Sequence, residues 1–289
     1  MKTIFTVKEL REALKPVRSQ TVGFVPTMGY LHEGHLSLVK RAKETADVVV
    51  MSIFVNPIQF SPNEDLSHYP RDLERDSLLA SKAGVDFLFV PTVEEMYPAG
   101  SKTMVTVKEI TESLCGASRP GHFDGVATVV TKLFNMVQPD YAFFGMKDAQ
   151  QVAVIQQMTK DLNIPVEIIP CEIVREEDGL ALSSRNVYLS EEERRQALVL
   201  SHSLQEAKAA FSRGEKDAAV LRRIIENTIS ETLLADIDYI EVRSYPALEE
   251  IQTLTGDVLI ALAVRFGRTR LIDNIILTAS QEEALCSVR

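Results

Sequence analysis

Short apolar runs alternate with helical patterns through the first 170 or so residues. Stretches such as TVGFVP and DVVVMSIFV, rich in β-branched residues, predict buried strands, and the spacing of apolar residues between them predicts helices. The predicted strands cover residues 21–26, 47–55, 85–90, 141–144 and 166–169, and the predicted helices cover residues 35–46, 71–83, 126–137 and 148–162. Strands that are almost wholly apolar and alternate with helices indicate a parallel sheet covered on both faces. Ligands bind beyond the carboxyl ends of such strands, so we expect the chemistry in the loops that follow the strands.

The pattern changes near residues 175–179 (REEDG), after which the chain becomes charged and rich in Ala and Leu. Ser190 and Glu193 form a capping-box pattern that opens a predicted helix over residues 190–213. A second helix is predicted over residues 216–234, and strands over residues 237–242, 258–264 and 270–277. We therefore expect a domain boundary around residues 175–190, followed by a smaller α+β unit.

Composition narrows the class of protein. The chain has 289 residues, 45% of them hydrophobic, and a formal net charge of −10. Such a chain can bury enough surface to fold, and it lacks the cationic surplus that non-specific nucleic-acid or anionic-lipid binding requires. Its three cysteines, Cys115, Cys171 and Cys286, are far apart and form no CxxC pair, which favours a reducing compartment over a disulfide framework or zinc cluster. No signal-like apolar segment and no run of 18 apolar residues occurs, so the expected location is the cytoplasm.

The loop after the first predicted strand, PTMGYLHEGH, carries the strongest candidate chemistry. His32 and His35 lie three residues apart where the loop enters a helix, and a helix N-terminus attracts phosphate. Gly29 and Gly34 would let a phosphate or a purine approach the backbone. Two simpler interpretations exist. The zinc-protease pattern needs histidines at i and i+4, which this spacing does not provide, and the two histidines are alternatively ordinary solvated side chains.

Other loops add candidate polar groups, each with a simpler alternative. Gln59 follows the break at Asn56-Pro57 and is either a ligand-binding amide or an ordinary loop amide. The run RPGHFDGV at residues 119–126 offers an Arg and a His to anions, or is a plain connector. Lys147 stands between a strand and a helix, a phosphate position.

Two further interpretations concern the neighbourhood of Lys147 and the domain boundary. Asp148 either caps the helix or orients a ribose or a metal-bound water, and Gln151 lies one turn further along on the face of Lys147. Ser183, Ser184 and Arg185 combine two hydroxyls with a cation, and they form either a triphosphate clamp or a polar linker.

The HxGH signature resembles that of the nucleotidylyl transferases and class I aminoacyl-tRNA synthetases. Four further segments are more specific. Together with PTMGYLHEGH, the segments SIFVNPIQF, RPGHFDGVATVV, FGMKDAQQ and VREEDGLALSSRN closely resemble the pantothenate synthetase (pantoate–β-alanine ligase) family, in order and across essentially the whole chain. The last hundred residues match mainly in length and in the IDYIEV strand.

The resemblance implies ATP-dependent condensation of (R)-pantoate with β-alanine, through a pantoyl adenylate, to pantothenate, AMP and pyrophosphate. It implies that His35, His32, Lys147 and Arg185 are catalytic, with His35 as proton donor, and that Gln59 and Gln151 bind pantoate, Gln59 also facing β-alanine. The implied ATP-binding residues are Met28, Gly29, Tyr30, Leu31, His32, Glu33, Gly34, His35, Gly145, Met146, Lys147, Asp148, Val174, Leu182, Ser183, Ser184 and Arg185. Mg²⁺ is implied as the counter-ion of the triphosphate, with no protein ligand assigned.

The resemblance also implies a Rossmann-like ATP- and pantoate-binding domain at residues 1–176, a smaller C-terminal lid domain at residues 177–289, and a homodimer. From loop position we expect Pro26, Met28 and Phe60 to offer apolar surface to the gem-dimethyl group. We expect residues 61–70 to act as a lid that shields the adenylate from water. All these expectations require the loops at the strand ends to converge on one cationic cradle.

Three rival functions remain at this point. An aminoacyl-tRNA synthetase-like protein would need a basic segment that is lacking here. An adenylyl transferase acting on a phosphate ester would share the HxGH chemistry. A non-enzymatic nucleotide-binding or scaffold protein should have lost the charged donors, yet His32, His35, Lys147 and Arg185 are all present.

Overall fold

The structure, a computed structural model, describes residues 1–62 and 64–279. These residues form two compact units. The first comprises Met1–Lys108, Arg119–Met146 and Val154–Val174, and the second comprises Glu109–Ser118, Lys147–Ala153 and residues 175–279. Cys286, counted in the sequence analysis, lies outside the described residues.

The first unit is built on a parallel sheet of six strands in the order β1-β4-β3-β2-β5-β6. The strands are β1 (Lys2–Ile4), β2 (Val22–Thr27), β3 (Val48–Ile53), β4 (Phe87–Phe89), β5 (Tyr141–Gly145) and β6 (Glu167–Cys171). The central strands β2 and β3 are buried on nearly their whole length, as the continuous apolar runs predicted. The edge strand β1 was not predicted, since three residues carry too little pattern to identify a strand.

The register of the sheet brings the loops of interest to one edge. Thr27 at the end of β2 pairs with Ile53 at the end of β3, and β5 runs parallel to β2 on its other side. Because all the strands are parallel, the loops after β2, β3 and β5 leave from the same edge of the sheet.

Helices cover the sheet of the first unit: α1 (Val7–Leu14), α2 (Glu33–Thr45), α3 (Leu73–Ala83), the short α4 (Val93–Met96) and α6 (His122–Val137). Helix α2 contributes Leu38, Val39 and Ala42 to a core shared with β2 and β3. Helix α1 was not predicted, although Thr6 and Glu9 form a capping box that opens it.

Helix α6 begins at His122, four residues before the predicted start, so that Gly125 lies inside the helix. Sequence reasoning places Gly outside helices because it lowers helix stability. Here a Cβ at Gly125 would lie 2.6 Å from Gln59 Cα and 2.7 Å from Ile58 O. Glycine is therefore required because another segment of backbone passes directly over the helix.

The second unit contains an antiparallel sheet of β7 (Ala235–Ser244), β8 (Gly256–Phe266) and β9 (Thr269–Ala279), in that order. All three strands were predicted. Its helices are α5 (Leu114–Ser118), α8 (Glu191–Gln196), α9 (Val199–Ser212) and α10 (Ala218–Ser230), and α9 and α10 pack their apolar faces on the sheet. Helix α7 (Ala149–Asp161) starts in this unit and ends in the first.

The prediction of one helix over residues 190–213 was wrong, since the structure has two helices, α8 and α9. The predicted Ser190–Glu193 capping box does open α8. Helix α8 buries none of its six residues, whereas α9 buries Leu200, Leu204 and Ala207. The apolar stripe begins only after Gln196. Only α9 therefore packs on the core, and the predicted helix is interrupted between α8 and α9.

Two short segments from the middle of the chain belong to the second unit, and Gln150 joins them to each other. Its Oε1 accepts a hydrogen bond from Cys115 N at 2.9 Å, and its Nε2 donates to Ile110 O at 2.9 Å and to Ser113 O at 2.8 Å. Leu114 N also donates to Glu241 Oε1 on β7 at 3.1 Å. Sequence reasoning had no basis for these long-range pairings.

Candidate active site

The loop between β2 and α2 is held in an irregular conformation. Gly29 has φ of 84° and Tyr30 has φ of 50°, both in the left-handed region. Thr27 Oγ1 accepts a hydrogen bond from Gly29 N at 3.2 Å and donates to Ser52 O at 2.8 Å on β3. The loop is therefore fixed to the end of the neighbouring strand.

Asp76 on α3 binds this loop through both of its carboxylate oxygens. Oδ2 accepts from Tyr30 N at 2.6 Å and Oδ1 accepts from Leu31 N at 2.7 Å. The side chain is only 1% exposed, and its burial raises the pKa of the carboxyl above the usual range despite these two bonds and the nearby Arg75. A Cβ at Gly29 would lie 3.0 Å from Asp76 Oδ2, so glycine is needed for the carboxylate to reach the loop. The sequence analysis missed Asp76, which lies 46 residues further along the chain than Tyr30.

The two histidines cap the N-terminus of α2 through their own ring nitrogens. His32 Nδ1 accepts from Gly34 N at 3.2 Å, and His35 Nδ1 accepts from His32 N at 3.3 Å. The ring centroids are 4.0 Å apart. Since each Nδ1 is an acceptor, the hydrogen bonds assign the proton of each neutral ring to Nε2. The arrangement gives two imidazole N–H donors beside a helix N-terminus, a setting suited to phosphate oxygens.

A chain of polar contacts orients Gln59 in the loop after β3. Tyr97 donates from its hydroxyl to Asn56 Oδ1 at 2.9 Å, and burial raises the pKa of this phenol, which keeps it a donor. Asn56 Nδ2 then donates to Gln59 Oε1 at 3.1 Å and to Gly125 O at 3.0 Å. This leaves Gln59 Nε2 facing Met28 Sδ at 3.0 Å. The predicted candidates Gln59 and Met28 thus come together, and Asn56 and Tyr97, which the sequence analysis did not select, set the direction of the amide.

Arg119 in the RPGHFDGV run is engaged by groups of the protein itself. Its guanidinium binds Glu64 through both nitrogens of one edge, Nε to Oε1 at 2.5 Å and Nη2 to Oε2 at 2.9 Å. His122 Nδ1 lies 2.9 Å from Gln59 O, and its Nε2 lies 3.1 Å from Arg119 Nη1. Burial alone would raise the pKa of Glu64, but Arg119, the backbone N–H of Ser61 and His122 together outweigh burial, and the net shift is downward. These contacts connect residues of the predicted lid to the start of α6.

The segment after β5 carries the candidate lysine. Strand β5 ends at Gly145, and a short 3-10 helix (Met146–Asp148) leads into α7. Lys147 is half-buried, and its Nζ lies 4.0 Å from Asp148 Oδ2. A Cβ at Gly145 would meet no atom within 4 Å among the described residues, so local packing does not demand this glycine.

The segment that follows Val174 folds into a tight turn and then a 3-10 helix (Ser184–Tyr188). Arg175 and Ala181 form an isolated antiparallel bridge across the turn. Ser183 caps the 3-10 helix, because its hydroxyl accepts from Arg185 N at 3.3 Å, and Ser184 is buried. One of the two predicted clamp hydroxyls therefore already has a role in the local fold.

The candidate residues are divided between the two units. His32, His35 and Gln59 belong to the first unit, and Lys147, Gln151 and Arg185 belong to the second. Convergence of these residues on one ligand stays a prediction.

In residues 1–62 and 64–279 there is no group of three or more His, Cys, Asp or Glu side chains suited to hold a metal ion. None of the helices in this part of the chain has the length and apolar character needed to cross a bilayer.

A six-stranded parallel sheet, with a histidine-capped helix N-terminus after its first central strand, is the architecture of an α/β protein with a candidate anion-binding site at the strand ends. The family model described as Pantoate-beta-alanine ligase matches residues 2–276. The chain belongs to this family.

Individual relatives agree with this assignment. The chain is 61% identical over 274 residues to a pantothenate synthetase of Pelotomaculum thermopropionicum, covering 94% of this chain and 97% of the relative. The crystal structure of pantothenate synthetase from Thermus thermophilus matches with a TM-score of 0.92 and 49% identity, covering 95% of this chain and 99% of that one. A pantoate-beta-alanine ligase from Francisella tularensis, crystallised with beta-gamma ATP and beta-alanine, matches with a TM-score of 0.78 and 37% identity over 96% of this chain and 97% of that one.

Proposed function

We propose that this chain condenses (R)-pantoate with β-alanine at the expense of ATP, forming pantothenate, AMP and pyrophosphate through a pantoyl adenylate. Membership of the pantoate-beta-alanine ligase family over residues 2–276 supports the overall reaction. The observation that carries the chemistry is the N-terminus of α2, where both Nδ1 atoms accept backbone hydrogen bonds and so direct the proton of each ring to Nε2.

In the first step, an oxygen of the pantoate carboxylate forms a bond to the α-phosphorus of ATP. The bond from that phosphorus to the bridging oxygen breaks, and its electron pair leaves with pyrophosphate. Negative charge therefore moves onto the leaving group, where fixed N–H donors and cations lower the barrier most. His35 would donate its Nε2 proton towards the phosphates with His32 beside it, and Lys147 and Arg185 would neutralise the triphosphate.

The adenosine and phosphate groups would be bound by three segments of the chain. The first is Met28 to His35, the loop that Asp76 holds. The second is Gly145 to Asp148, and the third comprises Val174 with the run Leu182 to Arg185. The ring N–H groups of His32 and His35 in the first segment, and the cationic side chains of Lys147 and Arg185 in the other two, are the kinds of donor that polyphosphates prefer.

Mg²⁺ would accompany the triphosphate and neutralise part of its charge. In proteins Mg²⁺ is commonly held by one or two carboxylates together with substrate phosphates. Asp148, a half-exposed carboxylate 4.0 Å from Lys147 Nζ, is the residue that would lie near it.

In the second step, the amine of β-alanine attacks the carbonyl carbon of the adenylate. The carbon–oxygen bond to phosphate breaks, AMP leaves with the electron pair, and the nitrogen loses its proton. Gln59 and Gln151 would hold the hydroxyl and carboxyl groups of pantoate, and Gln59 would also face β-alanine. The fixed direction of the Gln59 amide supports a recognition role, because an oriented amide discriminates donors from acceptors.

Three finer features complete the proposal. The segment at residues 61–70 would shield the adenylate from water. The ion pair between Glu64 and Arg119 would hold this segment in its closed position. The second unit would act as a cover during the reaction. The enzyme would work in the cytoplasm as a homodimer.

The test is pantoate-dependent exchange of labelled pyrophosphate into ATP, followed by release of pantothenate on addition of β-alanine. We expect exchange that requires pantoate, and a loss of about 100-fold or more, about 2.7 kcal/mol of transition-state stabilisation, in both His35→Ala and Lys147→Ala. Gln151→Ala should mainly raise the pantoate concentration that is needed. Exchange without pantoate, or with a phosphate ester in its place, would refute the assignment.

A further inference from the structure

Strand β9 buries two neighbouring polar side chains, Asp273 and Asn274, which are 2% and 4% exposed. They interrupt an otherwise apolar stretch, LIDNIIL at residues 271–277. Buried polar and charged side chains are often replaceable by apolar ones without loss of stability, so stability alone does not explain these two residues. Both side chains bind segments that the proposed function places on the polyphosphate.

Asp273 anchors the turn that follows Val174. Arg175 donates from Nη1 to Asp273 Oδ2 at 2.7 Å and from Nη2 to Oδ1 at 2.8 Å, a bidentate pair with fixed geometry. The same guanidinium donates to Gly179 O at 3.0 Å and so closes the turn.

The turn also forms hydrogen bonds directly with the segment that carries Arg185. Asn186 Nδ2 donates to Glu176 Oε1 at 3.0 Å and to Ala181 O at 3.1 Å. The 3-10 helix Ser184–Tyr188 packs on β9 itself. The position of the Arg185 backbone therefore depends on β9 both through Arg175 and by direct packing.

Asn274 anchors the other candidate cation. Its Nδ2 donates to the backbone carbonyl of Lys147 at 2.9 Å. Its own backbone N–H donates to Asp273 Oδ1 at 2.8 Å, so the two side chains form one connected network.

We propose that Asp273 and Asn274 are positioning residues. They hold the Lys147 segment and the segment from Arg175 to Arg185 on one strand. The side chains of Lys147 and Arg185 can then both contact the β- and γ-phosphates of one nucleotide. The inference rests on the proposed function for the identity of the ligand. It is distinct from the roles of Lys147 and Arg185 themselves, because neither Asp273 nor Asn274 needs to touch the nucleotide.

Two variants test the two anchors, and a third serves as control. Asn274→Leu removes the donor to Lys147 O, and Asp273→Asn keeps the shape but weakens the bidentate pair. The control is Asp238→Asn. It alters another ion pair of the same sheet, Arg270 Nε to Asp238 Oδ2 at 2.8 Å, which involves neither segment.

The first readout is binding of ATP and of AMP, each measured by displacement of a fluorescent nucleotide. We expect both anchor variants to bind ATP about 10- to 100-fold more weakly with AMP binding changed less than about threefold, because a misplacement near 1 Å weakens only the contacts it affects. The control should bind both nucleotides as the wild type does. Equal losses for ATP and AMP, or an unchanged ATP affinity, would overturn the proposal.

The second readout separates the half-reactions in single turnovers, normalised to the active fraction. Adenylate formation should slow about 10-fold or more in the anchor variants, and aminolysis of bound adenylate by β-alanine should stay within about threefold. A purely structural role would lower the active fraction and leave both rates unchanged, and that result would refute positioning. The two proposals can fail separately. If the wild type shows no pantoate-dependent adenylation, the proposed function fails. If the Asp273 and Asn274 variants nevertheless lose affinity for ATP but not for AMP, the positioning role stands.

Discussion

Replacement of Asp76 separates two properties of the protein. One is the conformation of the loop between β2 and α2, and the other is the stability of the fold. The two carboxylate oxygens of Asp76 accept from the backbone N–H groups of Tyr30 and Leu31 at 2.6 and 2.7 Å, directly before His32. Asp76→Asn keeps the volume, retains one acceptor oxygen and turns an NH₂ group towards the second backbone donor. The loop then loses one of the two bonds that set its path.

Two opposing terms decide the stability of this variant. A hydrogen bond to a charged group contributes about 1.5–3 kcal/mol, and its loss destabilises the variant. Burial, however, raises the pKa of Asp76, so the ionised carboxylate is less favourable in the folded than in the unfolded chain, and removing the charge removes that cost. We expect the two terms to oppose each other, so near neutral pH the variant should lose less stability than the lost hydrogen bond alone would cost. The raised pKa also means that wild-type stability declines relative to the variant as the pH rises from about 3.9 through the folded-state pKa.

Activity should respond far more strongly than stability. Misplacement of the loop by about 1 Å would cost about 10- to 100-fold in pyrophosphate exchange, since the ring N–H donors of His32 and His35 must meet a developing charge. The matched control is Asp72→Asn on the same helix, which caps α3 by accepting from Arg75 N at 3.0 Å and for which Asn is an equally good cap.

The measurements are urea unfolding followed by circular dichroism, and the exchange rate normalised to the active fraction. A loss of several kcal/mol in Asp76→Asn, matched by a smaller active fraction with a normal rate per active site, would refute this reasoning. An exchange rate equal to that of Asp72→Asn would refute it equally.

Three further outcomes follow from the same site. Tyr97→Phe removes the hydroxyl that orients the Gln59 amide, and we expect the pantoate KM to rise about 10-fold with kcat within about threefold; an unchanged KM would contradict the contact chain. Gly125→Ala places a Cβ 2.6 Å from Gln59 Cα and should lower the free energy of unfolding by about 1–3 kcal/mol or more. In the control Gly121→Ala, the added Cβ meets no atom within 4 Å among the described residues, so only the strain of φ 80° remains and the loss should be about 1 kcal/mol. Glu64 has a lowered pKa, so wild type should exceed Glu64→Gln in stability above pH of about 4.3, and this advantage should shrink as the pH falls through the folded-state pKa; a difference independent of pH would show that the ion pair contributes nothing.

The strands and most helices could be predicted from the sequence because their signals are local. The runs TVGFVP and DVVVMSIFV identify β2 and β3 through continuous burial, and Ser190 with Glu193 identifies the start of α8. Prediction failed where a distant segment decided the outcome. Gly125 lies within α6 because the backbone of Gln59 passes over it, and the helix predicted over residues 190–213 divides where its apolar stripe begins.

The same contrast between local signals and distant partners applies to the candidate site. His32, His35, Gln59 and Lys147 are recognisable because their residue types stand at strand ends, where a parallel sheet exposes its loops. Asp76, Tyr97 and Asn274 are not, since each acts on a partner far away in sequence and an isolated Asp, Tyr or Asn carries no motif. Arg119, which looked available to anions, is paired with Glu64, a partner 55 residues away.

The sequence by itself determined the alternation of strands and helices and the order of the motifs, because these depend on residue type and local spacing, and the resemblance of the motifs to a known family indicated the kind of reaction. Only the tertiary structure decided which atoms carry the protons of the paired imidazoles, which way the Gln59 amide points and which strand holds the lysine and arginine segments. Hydrogen bonds with defined direction set these features, and their donors and acceptors come from segments that only folding brings within about 3 Å of one another.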